Sequence, residues 1–201
     1  MASSSAAINQ LSAPIRVLGV DPGLNITGYA VLQSDPRGPK VCEAGVIRGK
    51  SKGSLTRRVA EIHEGLSEVI ENLQPNMLAL EELYSHYQRP KTAILMGHAR
   101  GVICLAAASA GISVKHYAAT RIKKVLTGNG RASKKQVQTA VVQELRLREV
   151  PEPFDVTDAL AIALCHYYLV RSPGIEMAGK RMAIGSLPPG SKVSLPALPS
   201  S

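Results

Sequence analysis

Three stretches of the chain carry acids where strands or helices begin or end. Asp21 closes the apolar run RVLGVD and is followed by Pro22-Gly23. Glu81 and Glu82 close MLALEE, and Asp155 and Asp158 open PFDVTDALAIAL. Gathered in a fold, such carboxylates repel one another, and divalent cations relieve that repulsion. Hard oxygen donors suit Mg²⁺ or Mn²⁺. Two ions roughly 4 Å apart can activate a water and stabilise a departing oxygen in phosphodiester hydrolysis.

Each acid also has a plainer reading. Asp21 before Pro-Gly can simply accept turn hydrogen bonds. Glu81 and Glu82 can be surface acids. They point to opposite faces of a strand, and the apolar residues upstream do not say which one meets Asp21. Asp155 and Asp158, three apart on one helical face, can form a capping box. Against that last reading, the helix behind them is apolar on nearly every side, which sets the two acids at the mouth of a core.

The elements that must position these acids follow from periodicity. Strands are expected over Arg16–Asp21, Thr27–Gln33 and Val41–Arg48, with SDPRGP as the turn between the last two. Short links make these three an antiparallel meander. Leu55, Val59, Ile62, Leu66, Val69 and Leu73 recur at helical spacing behind a Ser54 cap, and Gln74-Pro75-Asn76 stops that helix. Met77–Leu80 is a short central strand. An Ala-rich helix runs from Pro90 to about Ala110, with Gly111 as its C-cap. Its Gly97 and Gly101 share a face and are expected to permit close packing on the sheet or another helix. A strand over Ser113–Tyr117 and helices over Thr120–Leu126, Ser133–Leu145 and Asp155–Val170 complete the order βββαβαβααα. That order describes an α/β fold: a five-stranded mixed sheet flanked by helices on both faces. Ligands in such sheets favour the strand ends.

The 201 residues suffice for one domain, and Lys+Arg exceed Asp+Glu by 24 to 15, a formal charge of +9. That excess favours a polyanionic partner. One Phe and no Trp make the core aliphatic. Cys42, Cys104 and Cys165 are odd in number and lie in apolar contexts, which indicates buried thiols in a reducing compartment rather than disulfides or zinc. No membrane-spanning segment is expected; Ile94–Leu105 and Ala159–Val170 read as buried helices. Residues 1–13 read as a disordered extension, 14–172 as the folded unit, and 173–201 as a flexible Gly/Pro/Ser-rich tail. There is no Walker loop and no GxGxxG. GNGRAS before a helix start is only a weak phosphate signal.

The chain resembles the RuvC family of bacterial Holliday-junction resolvases, within the RNase H-like nuclease superfamily. The likeness rests on RVLGVDPGLNITGYAV, LALEELY, GHARGVICLAAASAGISVKHYA, TRIKKVLTGNGRASKKQVQ and DVTDALAIALCHYY, which in order cover nearly all of Arg16 to Tyr168. The resemblance implies an RNase H-like fold and a Mg²⁺- or Mn²⁺-dependent endodeoxyribonuclease with two ions per active site. It would resolve four-way junctions by paired symmetric nicks in recombination and repair. It makes Asp21, Glu81, Asp155 and Asp158 the metal ligands, with Glu82 as the neighbour of the second. Some relatives carry His at the place of Asp155. Lys123 and Lys134 become basic catalytic residues near the scissile phosphates.

Tyr84 matches an aromatic that stacks on bases, worth about 1–3 kcal/mol per base. Its neighbours Arg89 and Lys91, and Arg121, Lys124, Arg131 and Lys135 around the two lysines, are implied DNA contacts, with a steep salt dependence. Arg100 falls at a frequent family position and suits structure as readily as DNA. The resemblance further implies a homodimer, for which Ile94–Ala110 offers apolar surface, a partner in the RuvA–RuvB branch-migration complex, and a bacterial cytoplasm at the nucleoid, with no membrane. The same acids would equally serve an RNase H-like nuclease acting on another substrate such as an RNA–DNA hybrid. A junction-binding protein that does not cut is the other alternative.

Overall fold

The computed structural model describes residues 14–49, 53–83 and 90–171. The expectations for the N-terminal extension, for the tail and for Tyr84 and Arg89 lie outside these residues. Five strands form one sheet: β1 (Arg16–Asp21), β2 (Ile26–Asp35), β3 (Gly38–Arg48), β4 (Met77–Glu81) and β5 (Ser113–Tyr117), in the spatial order β3-β2-β1-β4-β5. The first three are antiparallel neighbours, whereas β4 joins β1 and β5 joins β4 in parallel. The expected mixed sheet and meander are therefore present. β2 and β3 run on to Asp35 and Gly38, which face each other across the hairpin, so most of SDPRGP is strand rather than loop. Gly38 takes φ 124°, a conformation that favours glycine.

Alternation along the strands divides the core in two. Leu18, Val20, Leu78 and Leu80 point to one face and pack with α1 (Leu55–Leu73) and α2 (Pro90–Ser109). Val17 and Ala79 point to the other, under α3 (Ala119–Thr127), α4 (Lys134–Glu144) and α5 (Phe154–Arg171). Helices thus flank both faces. Local signals set their ends. The Ser54 side chain accepts from Arg57 N–H at the start of α1, and Gln74 closes it in the left-handed region, φ 46°. Ser133 and Gln136 form a full capping box on α4.

α5 is buried from Val156 to Tyr168, Asp158 excepted, because it lies between the sheet and α3–α4. Its apolar circumference follows from that sandwiched position. α2 differs from the expectation of a buried helix. Ala99, Ile103, Ala106 and Ala107 are buried, while Ile94 is 62% and Leu105 57% exposed. By length and composition Lys91–Ser109 is apolar enough to cross a membrane, the only such helix among the described residues. Its Gly97 and Gly101 do not mediate the close packing expected of them: a Cβ at either would meet nothing within 4 Å. Cys42 also departs from expectation. It lies on β3, an edge strand, and is exposed, whereas Cys165 is buried and Cys104 half-buried.

Candidate active site

The acids converge at the carboxyl ends of the two central parallel strands. β1 and β4 pair through Val20 and Leu80, so Asp21 and Glu81 follow side by side, one residue further along each strand. Both share the parity of Val17 and Ala79 and face α5. Glu81, not Glu82, is thus the acid that joins Asp21. The Glu82 N–H donates to Tyr117 O at 2.9 Å and so completes the β4–β5 ladder beside Glu81. After Asp21 the chain turns through Pro22–Asn25. Thr27, fully buried, holds that turn by donating its hydroxyl to Gly23 O at 2.7 Å.

α5 brings the other two acids. Phe154 is its first residue, so Asp155 lies within the first turn and does not cap the helix. The alternative of an Asp155–Asp158 capping box is set aside on that ground. The helix comes very close to the sheet because the residues beneath it are small. A Cβ on Gly28 would collide with the Asp155 carbonyl and come to 3.1 Å of Asp155 Cβ; one on Gly19 would come to 2.8 Å of Ala163 Cβ. Gly28 is also the ladder partner of Asp21. These two glycines belong to the site's construction although their side chains do no chemistry, and reading the sequence alone did not single them out.

Asp21, Glu81 and Asp158 line a cleft of about 270 Å³ with Lys123 and Lys134, over an apolar floor that includes Ile122, Val137 and Ile162. Asp155 is not on its wall, but its charge reaches Asp21 and Lys134. Burial, then the neighbouring charges of Asp158, Glu81 and Asp155, push the Asp21 carboxyl up to about 7; Lys134 opposes this. Glu81 is raised by burial and by Asp158, against the pull of Lys123, Lys134 and Arg100. Lys134 Nζ donates to Asp158 Oδ2 at 3.2 Å, and that carboxylate holds the ammonium above the ordinary lysine range. The basic wall is thus already engaged with the acids.

The remaining expected contacts distribute unevenly. Lys91, Lys124, Arg131 and Lys135 are exposed. Arg121 is half-buried, and its charge is felt at the Cys165 thiol, so it is turned toward α5. Arg100 donates to His116 Nδ1 at 3.0 Å while its charge bears on Glu81 and Glu82. Its other terminal nitrogen is buried with no partner among the described residues.

Among the described residues no three His, Cys, Asp or Glu side chains form a ready-made metal cage. The donor set is nevertheless all carboxylate, without thiolate or imidazole. Carboxylates driven toward protonation by burial and by their own repulsion are a donor set that hard divalent cations suit.

A five-stranded mixed sheet with three meander strands, and acids at the ends of its two central strands and on the helix across them, defines an RNase H-like nuclease. Residues 17–166 match the family model described as crossover junction endodeoxyribonuclease RuvC. A protein of that name from Rhodopirellula baltica is 60% identical over 159 residues, covering 78% of this chain and 88% of that one. One from Moorella thermoacetica is 43% identical, covering 75% and 89%. The structure titled T. thermophilus RuvC in complex with Holliday junction substrate superimposes with a TM-score of 0.74 at 32% identity, covering 79% of this chain and 96% of that one. The chain belongs to the RuvC family of crossover junction endodeoxyribonucleases, structure-selective nucleases that resolve Holliday junctions and depend on divalent metal ions.

Proposed function

We propose that the chain acts as a homodimer that makes paired symmetric nicks across a four-way DNA junction, with Asp21, Glu81, Asp155 and Asp158 holding two Mg²⁺ or Mn²⁺ ions in each active site. The observation that carries this reading is the cleft itself. Three carboxylates share it, Asp21 is raised to about 7 by burial and like charge, and two lysines stand on its wall. When bound, the ions supply charge neutralisation and an activated water.

The chain's own residues do the rest. Asp21 and Glu81, fixed at adjacent strand ends, form a rigid floor. Asp158 and Asp155 approach from α5. Lys123 and Lys134 face the scissile phosphate and hold its oxygens as negative charge builds in the transition state. Lys91, Lys124, Arg131 and Lys135, with Tyr84, Arg89 and Arg121, engage the backbone and bases around the crossover. A relative solved with a Holliday junction supports that substrate.

The homodimer is supported by α2. Ile94, Gly97, Gly101 and Leu105 recur at intervals of three or four residues on its outer side; Ile94 and Leu105 are exposed, and open space stands before the glycines. Glycines on an outward apolar stripe let a second helix approach closely. That stripe fits another copy of the chain rather than a bilayer, because the opposite side of α2 packs on α1 and the sheet. A two-fold dimer matches the symmetry of a junction. We place the enzyme in the bacterial cytoplasm, at the nucleoid, as a partner of the RuvA–RuvB branch-migration complex. Residues 14–172 form the nuclease unit.

The test is a substrate panel: a labelled immobile junction, linear duplex and an RNA–DNA hybrid, with Mg²⁺, Mn²⁺ or chelator. Paired nicks at symmetric positions of the junction, absent in chelator and absent from duplex and hybrid, are expected. Hybrid-strand cutting, or junction binding without nicks, contradicts the reading.

A further inference from the structure

α5 must hold Asp155 and Asp158 at one height above Asp21 and Glu81, yet the sheet next to the acids is nearly smooth. There Gly19, Gly28, Ala30 and Ala79 form the floor and Ala159 and Ala163 face it, while the larger Val17 and Leu32 stand farther along β1 and β2. Small side chains allow a close approach but offer little interdigitation to stop a helix sliding along its axis. Among the described residues one side-chain hydrogen bond ties α5 to the sheet, while Tyr168–Glu144 and Asp158–Lys134 tie it to α4. The Tyr117 hydroxyl lies 2.6 Å from His166 Nδ1, with the rings 5.8 Å apart and tilted by 58°.

Both partners of that contact are tied to the acids. Tyr117 ends β5, is the ladder partner of Glu81, and accepts the Glu82 N–H on its carbonyl. His166 is 3% exposed and stands eight residues beyond Asp158 on the same helix, about 12 Å along its axis. Burial and the charge of Lys115 hold the imidazole down at about 4, so it is neutral at working pH. A neutral imidazole has one donor and one acceptor nitrogen, and a tyrosine hydroxyl can satisfy either. Leaving either group buried and unmatched is costly, which makes the contact directional where the aliphatic packing is not.

We propose that Tyr117 and His166 are positioning residues: their hydrogen bond pins α5 at one axial height against the β4–β5 edge, and so sets Asp155 and Asp158 opposite Asp21 and Glu81. This rests on the acid-cluster reading given above. The pin lies behind the cleft and touches no substrate. Its loss is felt as a looser acid cluster, with a weaker grip on a divalent cation and little change in DNA affinity.

The test is Mn²⁺ binding to the full chain without DNA, by calorimetry, beside thermal melting in chelator. Tyr117→Phe keeps the ring and removes only the hydroxyl. It is expected to weaken Mn²⁺ binding roughly 3- to 10-fold, at or below the usual range for outer-shell changes. His166→Gln is expected to do the same. His166→Asn, whose amide places a hydrogen-bonding atom near the place of Nδ1, is expected to restore most of the affinity. KM for the junction stays unchanged in all three, while kcat at limiting Mn²⁺ falls with the affinity. Tyr117→Phe and His166→Gln isotherms like the wild type's, even with a lowered melting temperature, would make the pair merely structural and overturn the proposal. So would an Asn variant as impaired as the Gln one. Asp21→Asn separates the two readings. If wild type binds Mn²⁺ and Asp21→Asn does not, the acid cluster stands and the pin is judged on its own variants. If both bind alike, or neither binds, the cluster reading fails and the pin with it.

Discussion

Gly28 of β2 lies against the backbone of Asp155, so close that a single methyl group there would strike the Asp155 carbonyl. Gly28 also pairs with Asp21 across the β1–β2 ladder. One residue without a side chain therefore governs the distance between the first-strand acid and the helix that carries the other two. Gly28→Ala must push α5 outward. Overpacking of this kind costs about 1–3 kcal/mol. In a chain of this size that lowers the melting temperature by roughly 2–12 °C. Loss of junction cleavage is expected to exceed what the stability change explains, because the acids separate. Gly97→Ala is the contrast within one copy: with open space before it on a helix, it should leave the monomer fold intact or stabilise it by up to about 1 kcal/mol, while crowding the proposed dimer stripe. Melting curves of both variants, and single-turnover cleavage by Gly28→Ala, check this.

The raised Asp21 makes stability depend on pH in a defined direction. Its carboxyl titrates near 7 in the folded chain and near 3.9 unfolded. Between those values the native state holds a proton that the unfolded state has lost, so stability falls as pH rises through this window. Glu81 is shifted in the same sense. In chelator, the melting temperature should therefore drop from pH 5 to pH 7.5. Asp21→Asn should flatten that drop and melt above the wild type at pH 7.5. Mg²⁺ or Mn²⁺ should raise the wild-type melting temperature more at pH 7.5 than at pH 5.5, since a cation takes the proton's place.

Lys134 bonds Asp158 at 3.2 Å and yet remains mostly exposed, with its side chain 73% accessible. It can therefore serve an acid and a phosphate in turn. Lys134→Ala should slow cleavage at saturating metal by roughly 10²-fold, the usual cost of one electrostatic donor to a developing charge. Junction affinity should change by less than about 3-fold, because one phosphate contact among many is lost. Rapid-quench kinetics and a binding isotherm at fixed salt separate the two.

Leu105 tests the dimer. It is 57% exposed on the outer stripe of α2. Leu105→Asp should convert a dimer to a monomer in light scattering without lowering the melting temperature of the monomer fold. The paired nicks should then become independent single nicks.

Much of the site was legible because strand ends are. RVLGVD and MLALEE end apolar runs on acids; that β1 and β4 lie side by side was not legible in the order of elements and is seen only in the sheet. The choice between Glu81 and Glu82 was not legible from apolar alternation, since both faces of β4 are buried. A finer signal was available in size. Gly19 stands two residues before Asp21 and Ala79 two before Glu81, and Gly28 and Ala30 repeat the pattern on β2. Small residues of one parity mark the face that α5 presses against, and the acids of that parity are the ones that meet it. Asp155 and Asp158 looked like a cap because spacing alone does not fix where a helix begins; Phe154 precedes them inside α5. Gly97 and Gly101 were expected to lie against neighbouring structure. Their spacing shows that they share a face of α2, but not that the face is turned outward. Cys42 was assigned to the core from apolar neighbours in sequence, but β3 is an edge strand and leaves it exposed. The Tyr117–His166 contact joins residues 49 apart in sequence, and no local pattern announces it.

The most direct measurement is cleavage of an immobile four-way junction by wild type, Asp21→Asn, Glu81→Gln and Asp158→Asn, each at a concentration that binds all the junction, with Mg²⁺, with Mn²⁺ and with chelator. The account predicts that every variant binds the junction as the wild type does and that none cuts it at more than about 10⁻² of the wild-type rate, while the wild type makes paired nicks only with metal. A variant lacking any one of these three acids that still cuts at the wild-type rate, or wild-type cutting that persists in chelator, would contradict the claim that this cleft is where the phosphodiester bond is broken.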